Sequence, residues 1–66
     1  MTRKKYVKLL MAIGMPRNAA ARDARDCQRQ GLEYHKEIVK LRHFLLYVAF
    51  TGGKVPRNFL EVLPHE

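Results

Sequence analysis

The longest regular pattern of apolar residues in the chain lies between residues 32 and 50. Apolar side chains recur there at spacings of four and three residues, at Tyr34, Ile38, Leu41, Leu45 and Val48. This spacing places all five on one side of an α-helix. A second apolar row lies well round the same helix and consists of Val39, Leu46 and Phe50. Because two apolar rows must be covered on two sides, the pattern predicts a long helix on which the shorter segments pack.

Two shorter helices are predicted before the long one. The first covers residues 3–13, with Thr2 as its N-cap and Gly14 after its end. The second covers residues 16–30, with Pro16 at its first position and Gly31 as its stop. A start capped by Asn18 is the alternative. One face of this helix carries only small residues, which permit close approach, and we expect that face to lie against the long helix: Ala20, Ala24 and Cys27.

A short fourth helical segment is predicted near residues 57–63, where it can cover the second apolar row, and His65 and Glu66 are expected to fray. The chain is therefore predicted to be all-α, a small three-helix bundle plus a short C-terminal helical turn, with one domain over residues 1–66 and no sheet. The following residues are expected to form the core: Leu10, Ile13, Ala24, Ile38, Leu41, Leu45 and Val48.

The length of the chain bears on its association. A domain of 66 residues with a single cysteine, Cys27, has no disulfide to stabilise it, and such domains often dimerise or bind a partner. The row of Val39, Leu46 and Phe50 is the predicted dimer or packing surface. One free thiol, no secretion signal and an apolar run (residues 44–50) too short to span a membrane indicate a cytoplasmic protein.

The positive charge is concentrated in the first half of the chain. Residues 1–31 contain eight Lys and Arg against two Asp, a net of +6, whereas residues 32–66 contain five against four Glu, a net of +1. This asymmetry favours a polyanionic partner for the first half. Arginine and asparagine suit bidentate contacts with bases, and lysine suits phosphates. The candidate binding residues are Lys4, Lys5, Lys8, Arg17, Asn18, Arg22, Arg25 and Arg29.

The residues that enzymes and metal sites require are sparse. His35 and His43 are eight positions apart, the only cysteine has no partner at metal-ligand spacing, and Gly52-Gly53-Lys54 lacks the pattern of a phosphate loop. We therefore expect no catalytic residues, no metal and no cofactor, and a protein that acts by binding.

The stretch over residues 9–18 reads Leu-Leu-Met-Ala-Ile-Gly-Met-Pro-Arg-Asn. An apolar helix end, a glycine turn and a polar start to the next helix resemble the turn of helix-turn-helix DNA-binding domains, over roughly residues 6–25. The sequence departs from that pattern at Leu10, where the family usually has a small residue. The resemblance implies that the second helix presents its polar residues to the major groove of DNA.

A broader resemblance covers residues 1–31. The chain opens Met-Thr-Arg-Lys-Lys-Tyr-Val-Lys-Leu-Leu-Met and continues Gly-Met-Pro-Arg-Asn-Ala-Ala from residue 14, and this looks like short early-region proteins of phages and prophages of Gram-positive bacteria. Such proteins are commonly DNA-binding regulators, or inhibitors of host machinery and defence, including anti-CRISPR proteins. Two functions therefore stay open: binding of DNA or RNA through the second helix, and inhibition of a host protein or ribonucleoprotein by binding it.

Overall fold

A computed structural model describes residues 1–64 and contains four helices: α1 (Arg3–Ala12), α2 (Arg17–Arg29), α3 (Tyr34–Phe50) and α4 (Phe59–Val62). No strand occurs within residues 1–64. The predicted all-α fold is confirmed, and each predicted helix is present with ends that differ by at most two residues. His65 and Glu66, which were expected to fray, lie outside the described residues.

The first helix is delimited by the residues that the sequence indicates. The hydroxyl of Thr2 accepts a hydrogen bond from the Lys5 amide at 3.2 Å, which satisfies one of the free N–H groups at the start of α1. At the other end Gly14 has φ = 105°, and the Met15 amide donates to the Leu10 carbonyl at 3.1 Å. This is the glycine-terminated Schellman arrangement, in which a positive φ lets the chain turn back over the last carbonyls.

The second helix begins at Arg17, with Pro16 in the N-cap position. The carbonyl of Pro16 accepts the first backbone hydrogen bond, from the Ala20 amide at 2.9 Å. Asn18 therefore lies inside the helix, and the alternative start capped by Asn18 is wrong.

The core is formed by α1, α2, the N-terminal half of α3 and the C-terminal tail. Eight apolar residues are buried: Tyr6, Leu10, Ala20, Ala24, Cys27, Ile38, Phe59 and Leu63. Of the predicted core, Leu10, Ala24 and Ile38 are confirmed, whereas Ile13, Leu41, Leu45 and Val48 are only half-buried. The physical reason is that the buried centre lies around Ile38, and the C-terminal half of α3 is covered only in part.

Helix α1 makes the main contact with α2 and also packs on α3. The second helix packs mainly on α1, but the Ala24 carbonyl, on its small-residue face, accepts a hydrogen bond from the Tyr34 hydroxyl of α3 at 3.3 Å. The predicted contact of this face with the long helix is therefore present beside a larger contact with α1. Tyr6 explains this arrangement: its ring stacks on Tyr34 of α3 with centroids 4.7 Å apart, and its hydroxyl reaches Cys27 of α2. A large ring on α1 fills the space that the small residues of α2 leave.

The C-terminal tail is part of the fold. Phe59 and Leu63 are buried in the core, and α4 packs against α3. The side-chain amide of Asn58 donates to the Ala12 carbonyl at 3.1 Å, so it satisfies an acceptor at the end of α1. The tail is thereby connected to both α1 and α3.

Candidate binding surfaces

All eight lysines and arginines of α1 and α2 are exposed. We call these side chains the basic layer: Arg3, Lys4, Lys5, Lys8, Arg17, Arg22, Arg25 and Arg29. Within residues 1–64 the two ion pairs both belong to the start of α3, Lys36 with Glu33 and Lys40 with Glu37. In the described part of the chain, no cation of the basic layer therefore forms an ion pair with a carboxylate.

A groove between α1 and α2 gathers part of the basic layer. Four cations line this basic groove, Arg3, Lys4, Lys8 and Arg17, together with apolar atoms of Val7, Met11 and Ala21 in a space of about 470 Å³. The grouping arises because α2 runs back alongside α1, so that helical spacing on each helix places these side chains on the same side. Lys4, Lys8 and Arg17 are thus brought together as part of one site.

Arg3 belongs to this groove and was not among the candidate residues. Helical spacing in the sequence already places Arg3 near the other groove residues of α1, since Arg3 precedes Val7 by one turn and Lys4 precedes Lys8 by one turn. These residues of α1 line a groove only because α2 packs beside α1.

The other three arginines of α2, Arg22, Arg25 and Arg29, lie in two different environments. Arg25 and Arg29 are exposed and line neither the basic groove nor the groove that contains Arg22. Arg22 and Asn18 line a second groove of about 650 Å³ that also contains the carboxylates of Asp23, Asp26 and Glu37. We call this the mixed-charge groove. Lys5 is exposed but lies outside the basic groove.

A buried polar cluster connects α1 to α2. The Tyr6 hydroxyl donates to Asp23 Oδ1 at 2.7 Å, and Cys27 Sγ lies 3.5 Å from both the Tyr6 hydroxyl and Asp23 Oδ1. Burial, followed by the hydrogen bonds with Cys27 and Asp23, raises the pKa of the Tyr6 phenol. Burial also raises the pKa of the Cys27 thiol. Both groups therefore stay protonated at neutral pH, where a protonated thiol is a poor nucleophile.

The predicted dimer or packing row is covered to different extents along α3. Val39 and Leu46 are half-buried, and Leu46 packs against the core, whereas Phe50 is 94% exposed. The exposed apolar surface of α3 consists instead of Phe44, Tyr47 and Phe50, which we call the aromatic patch. Their spacing of three residues was visible in the sequence, but the buried side of α3 had to be known before this spacing indicated a surface.

No group of three or more His, Cys, Asp or Glu side chains within residues 1–64 could hold a metal ion. None of the helices described is long and apolar enough to cross a membrane. The fold and the surface define a small all-α protein with a basic two-helix layer. In comparisons with known proteins, the chain matches no protein family, no curated protein and no solved structure.

Proposed function

We propose that the protein binds nucleic acid through the basic layer of α1 and α2. The observation that supports this proposal is the set of eight exposed cations, none of which forms an ion pair within residues 1–64 and seven of which lie outside the mixed-charge groove. Such cations keep their full attraction for phosphates and release counterions from a polyanion when they bind it. A cation that already has a carboxylate partner would have to give up that partner first.

Duplex nucleic acid is the form that fits the basic layer. The only aromatic residue of α1 and α2 is Tyr6, which is buried, so the layer has no exposed ring on which an unpaired base could stack. The four cations of the basic groove would hold phosphates. Arg25 and Arg29, on the exposed face of α2, would reach base edges in the major groove, where arginine contacts guanine with two hydrogen bonds. This division of roles agrees with the resemblance to helix-turn-helix domains and with a regulatory role in a phage.

A second candidate function is inhibition of a host protein or ribonucleoprotein, of the kind known for anti-CRISPR proteins. The mixed-charge groove favours it, because Arg22 lies there beside three carboxylates. A surface of both signs complements a protein better than it complements a polyanion.

A salt titration of DNA binding tests the first proposal. We expect the logarithm of the affinity for a DNA duplex to fall linearly with the logarithm of the salt concentration, with a slope near −0.9 per phosphate neutralised. Arg17→Gln or Arg25→Gln should each weaken binding and flatten the slope by about one unit. Lys36→Gln is the matched control: it removes the same charge from an exposed, ion-paired position on α3 and should leave the slope unchanged.

Two results would contradict nucleic-acid binding by this layer. One is an equal loss of DNA affinity in Lys36→Gln and Arg17→Gln. That result would show that binding depends only on the net charge of the protein and not on the basic layer. The other is capture of the same protein partner from a bacterial lysate before and after nuclease treatment, lost on substitution of Arg22; that result would support the inhibitor instead.

A further inference from the structure

The aromatic patch is the part of the surface that the proposed function leaves unexplained. Phe44, Tyr47 and Phe50 are 60%, 68% and 94% exposed. Tyr47 lies nine residues after the fully buried Ile38. At 3.6 residues per turn, this spacing places the two side chains on opposite sides of the helix. The patch therefore faces away from the bundle. Large rings grouped on the exposed side of a helix mark an interaction surface.

The charge around the patch indicates which partner can cover it. Residues 44–53 contain no Lys, Arg, Asp or Glu, although the whole chain has a net charge of +7. A nucleic-acid strand would find no cation for its phosphates in this segment. A second copy of the chain, which is repelled by the basic layer, can approach here without bringing like charges together. Before the patch on α3, Arg42 is half-buried, and Lys36 and Lys40 are paired with their own glutamates.

The area of the patch is also sufficient for self-association. At these exposures the three rings leave on the order of 400–500 Å² in water, since an aromatic side chain has about 150–250 Å² to bury. Two patches with their flanking atoms then bury roughly 1,000 Å², which is the lower bound for a specific interface. A surface that packs on its own copy about a two-fold axis needs no other partner.

We propose that the protein forms a reversible homodimer in which the aromatic patches of two α3 helices pack against each other. Because the patch faces away from α1 and α2, both basic layers remain exposed in the dimer. The dimer therefore forms whether or not nucleic acid is bound, and a monomer still exposes its basic layer to nucleic acid.

Sedimentation velocity over a range of protein concentrations tests the homodimer. The variant carries Tyr47→Gln and Phe50→Gln, which remove two exposed rings and retain good helix-forming residues. His35→Gln is the matched control, since His35 is exposed on the same helix but lies about 120° round from Tyr47. We expect the wild type and the control to dimerise, and the double variant to have a dissociation constant at least about a hundredfold higher.

A second readout is the melting temperature, which should rise with concentration for the wild type and the control but not for the double variant. Circular dichroism should show that all three are equally helical. A wild type that stays monomeric up to millimolar concentration overturns the proposal, and so does a dimer that the double substitution leaves unchanged. A monomer whose aromatic patch binds anionic vesicles or a bacterial protein also overturns it.

Discussion

Replacement of Leu63 by Ala should destabilise the protein severely, although Leu63 is close to the C-terminus. Its side chain is 1% exposed and lies in the core with Phe59. Truncation of a fully buried leucine to alanine costs about 2–5 kcal/mol. At about 0.05–0.15 kcal/mol per residue, a chain of this length has a total stability of roughly 3–10 kcal/mol. The substitution therefore removes a large part of the stability, and we expect the melting temperature to fall by about 10–30 °C.

Leu60→Ala provides a matched comparison in the same tail. Leu60 is the same residue type three positions earlier and is 49% exposed, so its truncation should cost only about 1 kcal/mol. Thermal unfolding followed by circular dichroism, at one protein concentration, measures both variants. If the two melt within a few degrees of each other, the tail is not part of the core, and the burial of Leu63 does not stabilise the bundle.

Two further predictions concern the polar cluster. Tyr6→Phe should lower the unfolding free energy in urea by about 1–2 kcal/mol, because it removes the donor at 2.7 Å from the Asp23 carboxylate; Tyr34→Phe, which removes a longer bond to a neutral carbonyl, should have the smaller effect. Burial raises the folded-state pKa of the Cys27 thiol and the Tyr6 phenol, so the folded protein keeps protons that the unfolded chain releases. The contribution of these two groups to stability should therefore be fully present below pH ~8.5, where an unfolded thiol titrates, and should be lost as the pH rises further. Urea denaturation should show that the unfolding free energy of Cys27→Ala falls less at high pH than that of the wild type. An equal fall in both proteins would exclude the thiol as its cause.

The helices themselves were predictable from the sequence. Their periodicity and end signals are local: a Thr2 hydroxyl reaches an amide three residues away, and Gly14 permits a turn within five residues. Interactions over such short separations act in much the same way whatever the helix later packs against. The charge asymmetry between the two halves is likewise a property of composition.

The candidate site was predictable only as a set of residue types. The sequence indicated Lys4, Lys8 and Arg17 without grouping them. Helical spacing aligned Arg3 with this side of α1, but it did not separate Arg22 from Arg25. The pairing of α1 with α2 encloses one groove with four cations. The packing of α3 beside α2 adds Glu37 to Asp23 and Asp26 in the groove that contains Arg22. Helical spacing fixes the side of a helix on which a residue lies, and the neighbouring helix determines what that residue faces.

Only the tertiary structure decided which residues are buried along the long helix. The apolar spacing of α3 favoured Leu41, Leu45 and Val48 as core residues, and each is only half-buried. The helix exceeds what two short helices and a tail can cover, so burial is complete at Ile38 and Phe50 remains exposed. A period of 3.6 residues identifies an apolar side, but the extent to which it is covered depends on contacts distant in sequence, such as Tyr6 with Tyr34.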